Sequence, residues 1–178
     1  RWIGVEHMQK STPELQWARW LSQSGSFISL RLDHEPFKDI RVRRALNLAV
    51  NQQEIVDLFY GGHAELMAYP QHPEFGRYYQ PLEEMAASIQ ELFSFNPEKA
   101  RQLLAEAGYA EGLSFTIQVC TCSPTNMDLL PLLSNHLADV GVHVDIQPME
   151  YASFLSAMTT KSHAPGYLMN NGHTNPIA

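Results

Sequence analysis

The chain has 178 residues, and its 12 lysines and arginines against 19 aspartates and glutamates give a formal net charge of −7. This acidic balance excludes a strongly basic nucleic-acid-binding protein. With 44% hydrophobic and 17% charged residues, the composition is that of a globular protein, and the length suits one domain. Since the chain begins with Arg1 and its earliest methionine is Met8, we expect it to be a piece of a longer protein.

The first predicted elements are a helix over residues 13–21 and a strand over residues 27–32. Ser11 and Thr12 come directly before Pro13, and a Ser or Thr cap followed by proline is typical of a helix start. Residues 27–32 alternate apolar and polar side chains, which predicts a strand with one buried face.

Two capped helices are predicted next, over residues 40–49 and 52–59. Asp39 stands before the first and Asn51 before the second, and both residue types are favoured helix caps. The apolar residues of each helix recur on one stripe, which predicts one buried face. Gly61, the first of two consecutive glycines, predicts the end of the second helix.

Residues 63–81 have no sustained period and predict a long irregular loop. The segment holds three prolines and four aromatic residues. Long ordered loops are often functional, and tyrosine combines apolar area with a hydrogen-bonding tip, so Tyr69 becomes a candidate ligand-binding residue. Packing of the same aromatic residues over the core is the alternative.

The remaining sequence alternates predicted helices and strands. Apolar periodicity predicts helices over 81–93, 97–107, 126–140 and 151–158, and strands over 113–119, 142–146 and 167–169. Asn96 and Asn126 are the predicted caps of the second and third of these helices, and Pro131 falls early enough in the third to delay or kink it. The alternation predicts an α/β fold in which helices flank a sheet.

Cys120 and Cys122 are separated by one residue at the end of a predicted strand. On an extended strand their Cα atoms would lie about 6.6 Å apart, near the upper limit for a disulfide. We therefore expect two free, half-buried thiols. A redox-active or metal-binding pair is the alternative, weakened because zinc sites normally have four ligands.

The sequence carries no motif that predicts catalysis. It has no glycine-rich phosphate-binding loop, no nucleophile motif and no paired-histidine metal motif. Arg41, Arg43 and Arg44 form a basic cluster, but arginine at the start of a helix opposes the helix dipole, so we expect ion pairs and not an anion site. We therefore expect a protein that is not an enzyme, with no catalytic residue, metal or cofactor.

Asn170, Asn171 and His173 follow the last predicted strand, in a stretch dense in amide side chains. A loop at the carboxyl end of a strand is where open α/β sheets usually bind ligands, so these three residues are candidate ligand-binding residues. Turn formation accounts for the same residues equally well.

Three segments resemble the extracellular solute-binding proteins of family 5, the dipeptide, oligopeptide and nickel-binding group. Residues 36–56 (PFKDIRVRRALNLAVNQQEIV) are similar to the family signature PF.D.RVR.ALN.AID+..IV. Residues 95–109 (FNPEKARQLLAEAGY) are similar to YDPEKAK.LLAEAGY, and residues 137–150 are similar to L..IGI.V.I.P.E. The motifs keep the family's order and spacing, and the resemblance covers about residues 26–176.

The resemblance implies both a fold and a function. It implies a lobe of the type II periplasmic-binding-protein class, with a mixed sheet flanked by helices. In this family the full protein is a two-lobed clamp that captures a peptide or another small solute and delivers it to the permease subunits of an ABC importer. For this chain the resemblance implies a lead-in helical segment over residues 1–25 and the central part of the C-terminal lobe over residues 26–178.

The resemblance also implies a location and partners. The parent protein would be periplasmic or extracellular and would contact the membrane only through a lipid anchor. The acidic charge of this lobe predicts that it binds no nucleic acid. Because an isolated lobe has half of a binding surface, we expect this chain to fold but to bind its ligand weakly.

The end of the chain departs from the family pattern. Peptide binders of the family typically carry a Trp and an Asp in a W..D.PDP loop, in which the Asp holds the amine of the ligand. The matching residues 170–176 include neither tryptophan nor a carboxylate. Since burying an ammonium group without a counter-charge is costly, a neutral, sugar-like or anionic ligand suits this loop as well as a peptide does, unless the anchor lies elsewhere.

Two other classes of function stay open. One is the ligand-sensing domain of a cytoplasmic transcription regulator, which two free thiols would suit. The less favoured one is a small α/β enzyme, which would need a buried cluster of titratable residues at the strand ends.

Overall fold

The computed structural model describes residues 2–18, 24–66 and 73–172. The strands are β1 (Ser24–Leu30), β2 (Leu113–Cys120), β3 (Val142–Met149) and β4 (Gly166–Gly172). They form a sheet in the order β1-β4-β2-β3, in which β2 is parallel to β3 and β4, and β1 is antiparallel to β4. The carboxyl ends of three strands therefore meet the amino end of β1 at what we call the carboxyl end of the sheet.

The helices lie between and around these strands. In chain order they are α1 (Trp2–Ser11), α2 (Ile40–Leu48), α3 (Gln52–Glu54), α4 (Ala87–Gln90), α5 (Pro97–Glu106), α6 (Pro124–Ala138) and α7 (Tyr151–Thr159). Shorter elements are a π-helical turn at Ile55–Phe59 and 3-10 turns at Pro73–Tyr78, Leu82–Glu84 and Glu91–Phe93. Within the described ranges, no helix combines the length and the apolar character that crossing a membrane requires.

The core lies between one face of the sheet and the helices α2, α5 and α6. Alternation along β2 turns Leu113, Phe115, Ile117 and Val119 towards these helices, and the last two are fully buried. Phe37, just before α2, packs edge-on against Phe115 with ring centroids 4.9 Å apart. The helix α7 covers part of the opposite face. The predicted α/β class, with a mixed sheet flanked by helices, is confirmed.

Three of the predicted helix caps are confirmed. Each side chain accepts a hydrogen bond from a backbone N–H in the first turn: Asp39 from Arg41 at 2.8 Å, Asn51 from Glu54 at 3.1 Å and Asn96 from Lys99 at 3.0 Å. These bonds satisfy N–H groups that have no partner within the helix. The predicted end of the second helix is also confirmed, because Gly61 adopts a left-handed φ of 59° just after it.

The prediction of a helix over residues 13–21 is wrong. The helix α1 comes earlier and ends at Ser11, where the N–H of Thr12 still donates to the carbonyl of Met8. Pro13 has no N–H and cannot continue the helix. Residues 15–18 are irregular and residues 19–23 lie outside the described residues. Leu15 and Trp17 are exposed, so no buried stripe stabilises a helix over the described residues 13–18.

The prediction of one helix over residues 81–93 is also wrong. The segment is divided into two 3-10 turns and the single turn α4, and Met85 and Ala86 between them are extended, with ψ of 162° and 143°. None of its residues is buried. Because a short helix in water depends on tertiary packing of its apolar face, the periodic pattern alone does not form one here.

The third correction concerns the start of α6. Asn126 was the predicted cap, but the helix begins at Pro124 after Ser123, and Asn126 lies in its first turn with 3% of its surface exposed. Pro131 is accommodated in the middle of the helix, not near its start. The side chain of Asn126 does not cap the helix because it is bonded to a strand, as described below.

Candidate functional site

Three polar side chains meet at the carboxyl end of the sheet. Ser26 of β1 is the register partner of Asn170 on β4, and its Oγ lies 2.7 Å from Oδ1 of Asn170. The same Oγ lies 3.1 Å from Oδ1 of Asn126, in the first turn of α6. We call Ser26, Asn126 and Asn170 the amide cluster.

The chemistry of the amide cluster is neutral and adaptable. The hydroxyl of Ser26 has one hydrogen, so it can donate to one amide oxygen while the other amide turns its NH2 towards the Ser26 oxygen. Asn126 is buried and depends on this partner, whereas Asn170 is exposed. The exposed amide therefore keeps both donor and acceptor capacity for a molecule at this end of the sheet, without a formal charge.

The turn beside the amide cluster is closed by a disulfide between Cys120 and Cys122. The expectation of two free thiols is therefore wrong. Cys122 lies in a turn and not on an extended strand, which brings the Cα atoms to 5.1 Å and within bridging range. The N–H of Thr121 donates to the carbonyl of Met149 at the end of β3, and the N–H of Ser123 donates to the carbonyl of Cys120. These two hydrogen bonds hold the turn against the sheet.

The carboxylate nearest in sequence to this end of β3 is already engaged. Glu150 caps α7, and its Oε2 accepts from the N–H groups of Ala152 and Ser153 at 3.0 and 3.4 Å. In the parts of the chain that the structure describes, no group of three or more His, Cys, Asp or Glu residues could hold a metal ion.

Ion pairs were predicted for the three arginines near α2, and Arg41 and Arg44 form them. Arg41 binds Asp39 at 2.6 Å, and its hydrogen bond holds the pKa of the Asp39 carboxyl below the ordinary value. Arg44 binds Glu91. Arg43 instead donates to the carbonyl of Phe37 at 2.6 Å. All three arginines serve contacts within the fold.

A second polar contact joins α3 to α6. Nε2 of the buried His136 lies 3.2 Å from Oε2 of Glu54, and its Nδ1 is buried without a partner. A neutral ring with its proton on Nε2 donates to Glu54 and leaves Nδ1 as a bare acceptor. This contact lies ten residues along α6 from Asn126 and does not belong to the amide cluster.

A groove of about 420 Å³ lies between α1 and residues 12–17. Its lining is mostly apolar and includes Met8, Leu15 and Trp17. Asn170, the predicted site residue whose side chain the structure describes, does not line it. The convergent polar groups at the carboxyl end of the sheet, rather than this groove, therefore form the candidate ligand site.

The structure brings one of the four predicted ligand-binding residues into the amide cluster. That residue is Asn170. Asn171 is the register partner of Gly25 on the same strand pair, and its side chain lies outside the described residues, as do Tyr69 and His173. Sequence reasoning missed Ser26 and placed Asn126 in a capping role.

The chain matches a known family of proteins over nearly its whole length. The description of that family is bacterial extracellular solute-binding proteins, family 5 middle, and the match covers residues 5–176. A similar curated protein is the glutathione-binding protein GsiB of Salmonella typhimurium, 32% identical over 126 residues. Another is the di/tripeptide-binding protein 1 of Pseudomonas aeruginosa, 28% identical over 149 residues.

These two relatives are much longer than the chain. The match with GsiB covers 70% of this chain and 22% of the relative. The match with the Pseudomonas protein covers 80% of this chain and 26% of the relative. The chain thus spans about a quarter of the length of the relatives it matches.

Solved structures share the fold. The oligopeptide-binding protein AppA of Bacillus subtilis, in complex with a nonapeptide, superposes with a TM-score of 0.75 at 24% identity, over 87% of this chain and 32% of AppA. NikZ of Campylobacter jejuni, in complex with Ni(L-His), superposes with a TM-score of 0.77 at 22% identity, over 96% of this chain and 34% of NikZ. The fold is that of a type II periplasmic-binding-protein lobe. The chain belongs to the bacterial extracellular solute-binding proteins of family 5.

Proposed function

We propose that the chain is part of the substrate-binding component of an ABC importer, which captures a small solute between two lobes and delivers it to the membrane permease. The observation that supports this most directly is the amide cluster, which places three neutral hydrogen-bonding side chains at the carboxyl end of the sheet. Membership of a solute-binding family supports it from the sequence. Binding and release need no chemistry, so the protein acts without catalysis.

The proposed place of the chain in the parent protein follows from its length. It covers about a quarter of two curated relatives. We assign residues 26–178 to the central part of the C-terminal lobe and residues 1–25 to a lead-in segment. In this arrangement the carboxyl end of the sheet faces the other lobe, and the amide cluster is one wall of the ligand cleft.

The proposed ligand is a small solute with a neutral polar or anionic group at Asn170. An amide does not supply the counter-charge that a buried ammonium needs, so a peptide would place its amine elsewhere in the cleft. We assign Tyr69, Asn171 and His173 to the same ligand surface, since Asn171 and His173 continue the chain from Asn170 and the tyrosine offers apolar area with a polar tip.

The proposed location is periplasmic or extracellular. The Cys120–Cys122 disulfide supports it, because disulfides persist mainly in oxidising compartments. The same bond counts against a cytoplasmic transcription regulator. In the proposed function the partners are the permease subunits, and the membrane is contacted only through a lipid anchor of the parent protein.

The proposal can be tested by titrating the isotope-labelled chain with candidate solutes and observing its NMR spectrum. The probes are S-methylglutathione, which has no free thiol to exchange with the disulfide, the dipeptide Ala-Ala and the disaccharide maltose, each raised into the millimolar range because one wall of a cleft binds weakly. We expect at least one probe to shift the amide resonances of Ser26, Asn126 and Asn170. Asn170→Ala should weaken that response, and the control Ser29→Ala, on the other face of β1, should not.

Two results would contradict the proposal. One is the absence of any response to all three probes by the folded chain. The other is a response centred on residues remote from the carboxyl end of the sheet and unaffected by Asn170→Ala. A further discrimination comes from Asn170→Asp, which should strengthen the response to Ala-Ala through its ammonium group and weaken the response to the anionic S-methylglutathione.

A further inference from the structure

The disulfide between Cys120 and Cys122 closes a ring of only three residues. Cys120 is the last residue of β2, and Cys122 directly precedes Ser123, after which α6 begins. Closing so short a loop removes little conformational entropy from the unfolded chain, and much less than closing a long one. The bond therefore contributes little to global stability, and its main effect is on the local turn.

The two sulfur-bearing residues differ in their access to solvent. Cys120 is 4% exposed, whereas Cys122 is exposed. Thiol–disulfide exchange requires a thiolate to reach one sulfur of the bond in line with the other. The side chain of Cys122 is the one that a molecule in solution can reach.

The buried sulfur is the better placed to leave. The backbone N–H of Cys122 donates to Sγ of Cys120 at 3.2 Å. A donor aimed at a sulfur stabilises the negative charge that develops when the sulfur is expelled as a thiolate. The amino terminus of α6, which begins at Pro124, adds partial positive charge to the same region of the chain.

We propose that the Cys120–Cys122 disulfide is an exchange site for small-molecule thiols, with Cys122 as the attacked sulfur and Cys120 as the leaving sulfur. The thiolate of the small molecule forms a bond to Sγ of Cys122, and the bond between the two cysteines breaks. Cys120 leaves with the electron pair and takes a proton from water. The reverse attack by the Cys120 thiolate on the mixed disulfide expels the small thiol and restores the ring, so no net oxidation occurs.

Opening the ring has a structural consequence at the carboxyl end of the sheet. The turn at residues 120–123 connects β2 to the first turn of α6, and Asn126 lies in that turn of helix. Once the bond is open, the turn is held only by hydrogen bonds, among them those of Thr121 and Ser123. Exchange therefore loosens the segment that positions the buried member of the amide cluster.

The first test uses the wild-type chain and β-mercaptoethanol, a thiol without a peptide group, so that the result is independent of solute binding. The protein is incubated with the thiol without denaturant, quenched with acid and mapped by mass spectrometry, while circular dichroism follows the fold. We expect no free thiol at the start, and then an adduct on Cys122 with a free thiol on Cys120 in the folded protein. Free thiols in the untreated protein, opening only after unfolding, or an adduct on Cys120 would overturn the proposal.

The second test compares two matched single-cysteine variants. Cys120→Ser leaves the exposed Cys122 as the only thiol, and Cys122→Ser leaves the buried Cys120. We expect iodoacetamide to alkylate Cys120→Ser at least roughly tenfold faster than Cys122→Ser, since reactivity follows exposure and thiolate character. Equal rates in two folded variants would overturn the assignment of Cys122 as the attacked sulfur. If either variant fails to fold, the wild-type measurement still decides.

Discussion

Two segments of the chain with similar apolar patterns have different structures. Residues 97–107 and residues 81–93 were both predicted to be helices, and both carry apolar residues at helical spacing. The first forms α5, whose residues Ala100 and Leu104 are buried and whose cap is Asn96. The second is divided into separate turns, and none of these turns has a side-chain cap or a buried residue.

The difference shows what an apolar period needs before it becomes a helix. In α5 the stripe packs against α2 and belongs to the hydrophobic core, and a cap satisfies an N–H of the first turn. In the segment 81–93 no residue of the stripe is buried, and it is the last turn, Glu91–Phe93, that contacts α2. Local side-chain bonds satisfy the backbone instead, as when Gln90 donates to the carbonyl of Met85 at 2.7 Å. Burial and capping, and not periodicity alone, decide between the two outcomes.

The largest expected effect tests whether burial of the apolar stripe stabilises α5 and not the segment 81–93. Leu104 of α5 is 2% exposed, whereas Ile89 of the other segment is 40% exposed. We expect Leu104→Ala to lower the free energy of unfolding by roughly 2–5 kcal/mol, because it removes buried apolar atoms and leaves a cavity. Ile89→Ala should change it by no more than about 0.5 kcal/mol. Urea unfolding followed by circular dichroism measures both, and similar losses would show that the second segment is packed after all.

Much of the fold was predictable because its signals are local. Asp39, Asn51 and Asn96 each precede an apolar stripe, and a cap with its helix is contained in about ten residues of sequence. The alternation in β2 likewise needs no knowledge of the partner strand. Two of the failures depend on the rest of the chain, since residues 81–93 have no buried position in the fold and Asn126 is bonded to Ser26 instead of capping α6.

The site was less predictable because its members are far apart in sequence. Asn170 was predicted as a loop residue after a strand of residues 167–169, whereas it lies within β4. Ser26 is separated from Asn126 by 100 residues and from Asn170 by 144 residues. No local pattern connects them, and only the antiparallel register of β1 with β4 brings Ser26 to Asn170. The disulfide was missed for a related reason, because the distance between its cysteines depends on where β2 ends.

The second prediction extends the comparison to a buried polar residue. Asn126 is buried, unlike residues 81–93, but its buried amide group needs a hydrogen-bond partner. We expect Ser26→Ala to lower the free energy of unfolding by about 1–2 kcal/mol, since it leaves the Asn126 side chain without the hydroxyl. Ser29→Ala, on the opposite face of β1, is the control and should have a smaller effect. Equal effects would mean that Ser26 contributes only as a strand residue.

The third prediction tests how much the side-chain cap of Asn96 contributes to α5. Asn96→Ala removes the oxygen that accepts from the N–H of Lys99. We expect a loss of about 1 kcal/mol in the free energy of unfolding, with most of α5 still formed because its apolar face remains buried. Hydrogen exchange should increase in the first turn of α5 and not at its buried centre. Unchanged exchange in that turn would show that burial alone sets the start of this helix.

The smallest expected effect concerns Glu91, which connects the two segments. It lies in the last turn of residues 81–93 and pairs with Lys99 of α5 and Arg44 of α2. The hydrogen bond from Lys99, followed by that from Arg44, holds the pKa of the Glu91 carboxyl below its ordinary value of 4.5. A carboxyl whose pKa is lowered on folding stabilises the folded state above the unfolded value, and this contribution is lost as the pH falls through the folded value.

Glu91→Gln should therefore lower the melting temperature slightly at neutral pH and remove part of its decline below pH 4.5. The effect should be small because the pair is partly exposed to solvent and salt. Glu98→Gln removes the exposed partner of Arg101 in the same helix and serves as the control, with little change at any pH. Thermal melts from pH 2 to pH 7 separate the two variants. If the Glu91→Gln curve runs parallel to the wild type, the ion pairs do not hold residues 81–93 to α5, and the local turns alone account for the shape of that segment.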